Sequence, residues 1–387
     1  MRILVAVERL GRTGGMERYL NVVLPALVER GAIVRVLARR IDAVPAGIEA
    51  EQLDWSDEHD APNRPAGAAA VHVVDTFLPD VTVAHNVMDL GVVAAMRVAR
   101  RFVYHVHDHR PFCPNGDRVF PRSARICTEP LGRACAVHSL TDGCAYGPRR
   151  RTMTLIHRRE RLRNTIATAD AVVVTSRYVA ERTAQNGVRP DRIVEIPLPL
   201  PDDAYAPEIA PPSSRAIVFA GRVVPQKGLA ALVRAVGRIA PERRPPVLAF
   251  GDGPELEAAR AEAASSGVAL DARGIAPVET VRSAIDAGAL VALPSLWAEP
   301  FGYVGIEAFA RGRPVVAFDV GGVRAWLDDG ANGVAVRAGD EAALAHAIDA
   351  LLHDETRRSA LAQRARADAE RFRVAPITET LLEAYRG

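Results

Sequence analysis

The sequence predicts an α/β protein built from two halves, each with a parallel sheet. Three observations carry that reading. Short β-branched runs alternate with longer Ala/Leu/Arg-rich stretches of helical period, the alternation breaks at a proline-bearing segment and restarts, and 387 residues suit two domains better than one. In the first half, strands are expected over residues 3–7, 33–37, 81–85, 102–106, 171–175 and 193–196. Residues 63–70 read as a surface loop. The stretch 197–212 holds Pro197, Pro199, Pro201, Pro207, Pro211 and Pro212, which excludes a continuous helix or central strand and reads as an interdomain linker. Strands then resume over 216–220, 247–250, 268–271, 290–293 and 315–318. The expected boundaries are a first domain over 1–197, a linker over 198–214 and a second domain over 215–371. Open parallel sheets bind ligands beyond the carboxyl ends of their strands, so two such halves facing each other would hold two substrates in a cleft.

Composition removes several function classes. With 49 basic against 47 acidic side chains the net charge is +2, which excludes a nucleic-acid binder held by overall charge. No apolar run approaches the roughly 18 residues needed to span a bilayer. The apolar run 3–7 is too short for a secretion signal and is followed by Glu8, which points to the reducing cytoplasm. Of the 49 basic residues 48 are arginine, and the single lysine is Lys227. An arginine-favouring composition that keeps one lysine marks that position.

Three strand-to-helix turns carry candidate chemistry. The first, after strand 3–7, reads Gly11-Arg12-Thr13-Gly14-Gly15-Met16-Glu17-Arg18; its glycines let backbone amides approach a phosphate or sugar at the positive end of a helix. The second spans 221–228, where Arg222 and Lys227 can set a guanidinium fork and a point charge against one diphosphate. The third spans 294–308. There Glu299 and Glu307 can accept hydrogen bonds from sugar hydroxyls, and free amides around Phe301, Gly302 and Tyr303 can hold negative charge.

These motifs, taken in order with the GDGPE segment that begins at Gly251, resemble the retaining glycosyltransferases of family 4, which have the GT-B fold. The resemblance implies two Rossmann-like domains facing across a cleft, with a final helix near 372–387 returning to the first. It implies that Arg222 and Lys227 bind the donor diphosphate, Glu307 the ribose and Glu299 the donor sugar, with Gly14 and Gly15 beside the phosphates. His107, in Tyr104-His105-Val106-His107-Asp108, would lie near the transferred sugar; His105 is the competing register on the same strand face. The expected reaction is transfer of a hexose with retention, from a UDP-sugar in preference to a GDP-sugar, to a hydroxyl of a saccharide, a lipid-linked intermediate or a natural product. No cofactor and no divalent ion are required in that reading, and Asp202-Asp203 are taken as solvated carboxylates. A nucleotide-sugar epimerase and a non-catalytic sugar-binding protein are the alternatives.

Cys113, Cys127, Cys135 and Cys144 all fall within one insertion, about 108–148. Three readings stand open: a structural zinc site, disulfides, or unpaired buried thiols. The segment HDHRPFCPNG is similar to an HD…CPxG subset of family 4 sequences, which favours a structural group. Downstream, residues 149–163 contain seven arginines with Met153, Leu155, Ile156 and Leu162 interleaved, a pattern for peripheral contact with the anionic inner face of a membrane or for a solvated basic helix.

Overall fold

A computed structural model describes residues 1–11, 14–55, 64–144 and 148–387. Arg12, Thr13 and Asn63, part of the turn and loop read from the sequence, lie outside the described residues. The chain divides into two units, Met1–Pro199 with Val374–Gly387, and Leu200–Arg373.

The first unit contains β1 (Arg2–Leu10), α1 (Gly15–Glu29), β2 (Ile33–Ile41), β3 (Glu49–Gln52), α2 (Arg64–Phe77), β4 (Val81–His85), α3 (Leu90–Met96), β5 (Phe102–Val106), α4 (Arg133–Thr141), α5 (Arg149–Ile166), β6 (Ala171–Val174), α6 (Arg177–Gln185) and β7 (Ile193–Glu195). Its seven strands lie in the order β3-β2-β1-β4-β5-β6-β7, all parallel. β4, β5 and β6 are buried throughout, so their β-branched runs read as continuous hydrophobic strands. β3 differs: its sequence, Glu-Ala-Glu-Gln, is that of a polar edge strand held only by β2, and hydrophobic pattern does not reveal it. Residues 64–70 are not loop. They open α2, whose Ala66 and Ala70 join Val73, Phe77, Leu4 and Leu37 in the core. Helix starts are set locally, as where Asp89 accepts from the amides of Gly91 and Val92 and Ser176 from that of Val179.

The second unit contains β8 (Ile217–Ala220), α7 (Leu229–Gly237), β9 (Val247–Phe250), α8 (Leu256–Ser266), β10 (Leu270–Ala272), α9 (Val278–Ala287), β11 (Leu290–Leu293), α10 (Tyr303–Ala310), β12 (Val315–Asp319), β13 (Gly333–Arg337), α11 (Glu341–His353) and α12 (Glu355–Ala369). Its six parallel strands run β10-β9-β8-β11-β12-β13. The edge strand β13 is half exposed and was not legible as a strand. The proline-bearing stretch is anchored rather than loose: Leu200, Ala204, Tyr205 and Ala206 are buried, and the Leu200 amide donates to the Phe372 carbonyl. Asp202 and Asp203 are largely exposed, as solvated carboxylates would be, and pair at the surface with Arg373 at 2.8 Å and Arg282 at 3.2 Å.

The last helix, α13 (Val374–Arg386), belongs to the first unit, where it packs on α1 and Arg30 reaches Glu379 at 2.6 Å. Ile377, Leu381, Leu382 and Tyr385 form its buried face. Leu381 is fully buried, so Leu381→Ala is expected to destabilise the protein by about 2–5 kcal/mol. Urea unfolding measures the loss; a change near zero would mean that α13 contributes nothing to the first unit's core.

Candidate active site

In the second unit the site forms where the loops after β8, β9 and β11 meet. The loop after β8 passes through Gly221, whose amide donates to Phe250, and Val223, whose amide donates to Asp252. It then lies on the loop after β11, where the Leu296 amide donates to the Gln226 carbonyl at 2.8 Å. Gly228 makes this contact possible: its φ of 72° is left-handed, and a Cβ there would overlap the Pro294 carbonyl. Lys227 therefore sits directly over Glu299, with Nζ 3.0 and 2.8 Å from the two carboxylate oxygens.

Glu299 is buried, and Ser295 Oγ at 2.9 Å and Trp297 Nε1 at 2.8 Å also donate to its Oε2. Burial pushes its pKa up, but the Lys227 ammonium and the three donors outweigh that and hold the carboxyl below its usual value. Oε2 is thus crowded, whereas Oε1 accepts from Lys227 alone among the described residues. Of the three ammonium donors two go to Glu299, leaving one for a ligand oxygen. Lys227 also stands 5.3 Å from the Trp297 ring centroid.

The other second-unit candidates divide by role. Arg222 is exposed and has no ion-pair partner among the described residues. Gly251 follows β9 and donates to the Gly274 carbonyl at 2.7 Å. Gly302 caps α10, and the amides of its first turn, starting at Tyr303, point along the helix axis. Glu307 is buried one turn further along α10. The Phe301 side chain belongs to the core: it is 2% exposed, its ring meets Phe372 at 6.0 Å, and its carbonyl accepts from Trp326 Nε1.

In the first unit Gly14 and Gly15 are exposed at the start of α1, and a Cβ added at Gly15 would meet nothing within 4 Å. Nearby, the ends of β4 and β5 carry His85, His105 and His107. The register pairs His85 with His105, and alternation puts His107 on the same face. His105 is 2% exposed, with its Nε2 at 3.0 Å from the Tyr385 hydroxyl. His107, just past β5, remains partly exposed, and its amide donates to Asn86 Oδ1 at 2.9 Å. Burial lowers all three imidazole pKa values, that of His107 to about 4 even though Asp108 pulls it upward. The set is neutral at pH 7. Sequence reasoning singled out His107 and missed His85, Tyr19 and Tyr385; two adjacent strands both ending in histidine was the available signal.

The four cysteines interact with one another: burial raises the thiol pKa of Cys127, Cys135 and Cys144, and the neighbouring thiols push each further up. All four are free, and among the described residues the ligand atoms that gather in a group of three or more belong to the histidines. Within the insertion, buried Arg118 donates to the carbonyls of Cys127 and Glu129, Val119 bridges Ile126, and Phe120 contacts His138. In α5, Arg158, Arg159, Ile156 and Leu162 are buried, so only Arg149, Arg150, Arg151, Met153 and Arg161 of that pattern face outward. No helix among the described residues is long and apolar enough to cross a membrane.

Residues 13–203 match the family described as Glycosyltransferase Family 4, and residues 214–354 the family described as Glycosyl transferases group 1. The chain is 36% identical over 240 residues to a D-inositol 3-phosphate glycosyltransferase of Xylanimonas cellulosilytica, with 57% of each chain covered. It is 34% identical over 257 residues to an alpha-maltose-1-phosphate synthase of Mycolicibacterium smegmatis, covering 58% of this chain and 65% of that one. It thus spans roughly three fifths of these relatives' lengths. The structure of Anabaena HepE with UDP-glucose superposes with a TM-score of 0.73 at 21% identity, covering 99% of this chain and 98% of that one. Two parallel-sheet α/β units with such neighbours constitute a GT-B fold.

Two outcomes follow from the charges. Lys227→Met leaves Glu299 buried without its cation and is expected to cost about 3 kcal/mol, part of which the added Glu299→Gln should restore. A urea-unfolding double-mutant cycle with no coupling would refute the pairing. For His107, the folded pKa near 4 lies below the unfolded 6.5, so the unfolded chain binds more protons in that window. Its contribution is complete above pH 6.5 and lost as pH falls toward 4, so wild type should lose about 2 kcal/mol more than His107→Asn between pH 7 and pH 5. Equal losses in both proteins would contradict the assignment.

Proposed function

From a chain that carries a glycosyltransferase family 4 domain followed by a glycosyl transferases group 1 domain, we propose a retaining glycosyltransferase that moves a hexose from a UDP-sugar to an acceptor hydroxyl without a divalent ion. The observation that carries this reading is the Lys227–Glu299 pair, with Nζ bonded to both carboxylate oxygens and Arg222 exposed on the same loop. As the sugar–phosphate bond breaks, charge grows on the leaving diphosphate. The third Lys227 donor and the Arg222 fork meet that charge, an electrostatic contribution that needs no proton transfer. Glu299, kept ionised by its neighbours, offers Oε1 to donor-sugar hydroxyls. Glu307 takes the ribose hydroxyls, and the amides about Gly14 and Gly15 take phosphate oxygen.

His107, neutral at working pH, hydrogen-bonds the sugar as an uncharged group. Retention follows from the family resemblance: the departing diphosphate oxygen accepts the acceptor's proton on the same face where the new bond forms. The acceptor is a saccharide or polyol hydroxyl, and the names of the two relatives, a D-inositol 3-phosphate glycosyltransferase and an alpha-maltose-1-phosphate synthase, make sugar and polyol phosphates the first acceptors to try.

A panel of UDP- and GDP-hexoses, each with sugar-phosphate and neutral acceptors and with EDTA present, tests the reading by mass spectrometry. The expected result is an acceptor-dependent α-linked product from an α-linked UDP-hexose, with Arg222→Ala and Lys227→Ala each lowering kcat/KM about a hundredfold. Epimerised donor without acceptor, or inverted product, would overturn it.

A further inference from the structure

Behind His107 stands a column of aromatic rings. His85 and His105 have centroids 4.3 Å apart, His85 and His107 5.1 Å apart at 25°, and His105 and His107 5.7 Å apart at 24°. Tyr19, from α1, meets the His107 ring edge-on at 4.9 Å, and Tyr385, from α13, closes the far end on His105. Within this column one nitrogen pair lies at hydrogen-bond distance: His85 Nδ1 and His107 Nε2, 2.8 Å apart.

We infer that His85 is a positioning residue which engages Nε2 of His107, so that Nδ1 is the nitrogen His107 presents to the transferred sugar. The inference rests on the proposed place of His107 beside that sugar. A neutral imidazole has one donor and one acceptor nitrogen, and two neutral rings that share a hydrogen bond must hold opposite roles at the shared pair. His107 Nδ1 therefore carries a proton only when His85 Nδ1 does, and the tautomer of the outer ring is set by the buried one. With its amide fixed on Asn86 and its ring between Tyr19 and His85, His107 has little freedom to flip.

Three histidines whose nitrogens lie within 4.8 Å of one another also invite a metal ion. Two details argue for a shared proton instead. Nitrogens bound at 2.0–2.1 Å to a tetrahedral zinc stand about 3.3 Å apart, further than the 2.8 Å seen here. In addition, the Tyr385 hydroxyl already occupies His105 Nε2.

The test uses amides as partial stand-ins, because the asparagine amide falls near Nδ1 of histidine and that of glutamine near Nε2. At position 85 the contact is made by Nδ1, so His85→Gln should lower kcat about tenfold more than His85→Asn, with the donor KM little moved. At position 107 the ranking should be the same, His107→Gln falling below His107→Asn. Independently of turnover, 15N spectra of the His107 ring should show one neutral tautomer in wild type and His85→Asn, and an average of two in His85→Gln.

Unaltered His107 ring shifts in His85→Gln, or His107→Gln outperforming His107→Asn, would overturn the inference. If wild type turns over no nucleotide sugar, the functional reading fails by itself and the spectra still decide the ring contact. Should His85→Gln not fold, the two His107 variants carry the test, since that ring is the partly exposed one.

Discussion

A carboxylate removed from water must be answered by a cation or it will take up a proton, and the second unit is arranged around one such pair. Glu299 stays charged because Lys227, Ser295 and Trp297 all donate to it. That demand fixes the path of two loops. The loop after β8 must lie against the loop after β11, which requires a left-handed residue without a Cβ at Gly228. The pair also explains the single lysine among 49 basic residues. A compact ammonium can bond both carboxylate oxygens and keep a third donor for a ligand, whereas a planar guanidinium directs its donors in one plane.

The first unit solves the opposite problem. Its buried polar groups at the ends of β4 and β5 are imidazoles, and burial without a close carboxylate on His85 or His105 drives them neutral. Neutral rings stack and share protons at little desolvation cost, so they give orientation where Lys227 and Glu299 give charge. A site that stabilises a leaving diphosphate needs charge, and one that orients a sugar hydroxyl needs a fixed dipole. In the proposed reading the second unit would supply the charge and the first the dipole, each at the carboxyl ends of its own parallel strands.

How much of this was legible varied with the kind of signal. Buried parallel strands are continuous hydrophobic runs, and β4, β5, β9, β11 and β12 were read within a residue at either end. β3 was missed because an edge strand needs only one partner and can be polar, β13 because a short half-exposed run opened by glycine is no continuous hydrophobic strand, and residues 64–70 were misread because alanine and glycine beside a proline suggest a loop until the core shows what they pack against. The cysteine cluster is a different case: the four thiols act on one another without a disulfide, while Arg118 and Phe120 brace the insertion around them. In α5, seven arginines looked like a basic surface, yet Arg158 and Arg159 turn inward.

The sequence by itself determined the two parallel sheets, the turns that bear Lys227, Glu299 and Glu307, and the chemistry those residue types allow. Such properties depend on local period and on spacing along the chain, which are written in neighbouring residues. Only the tertiary structure decided that Lys227 meets Glu299, 72 positions away, that Tyr385 reaches His105 across 280, and that His85 rather than His105 touches the His107 ring nitrogen. Hydrogen bonds have a reach of about 3 Å and a direction, and strand register and helix docking set both.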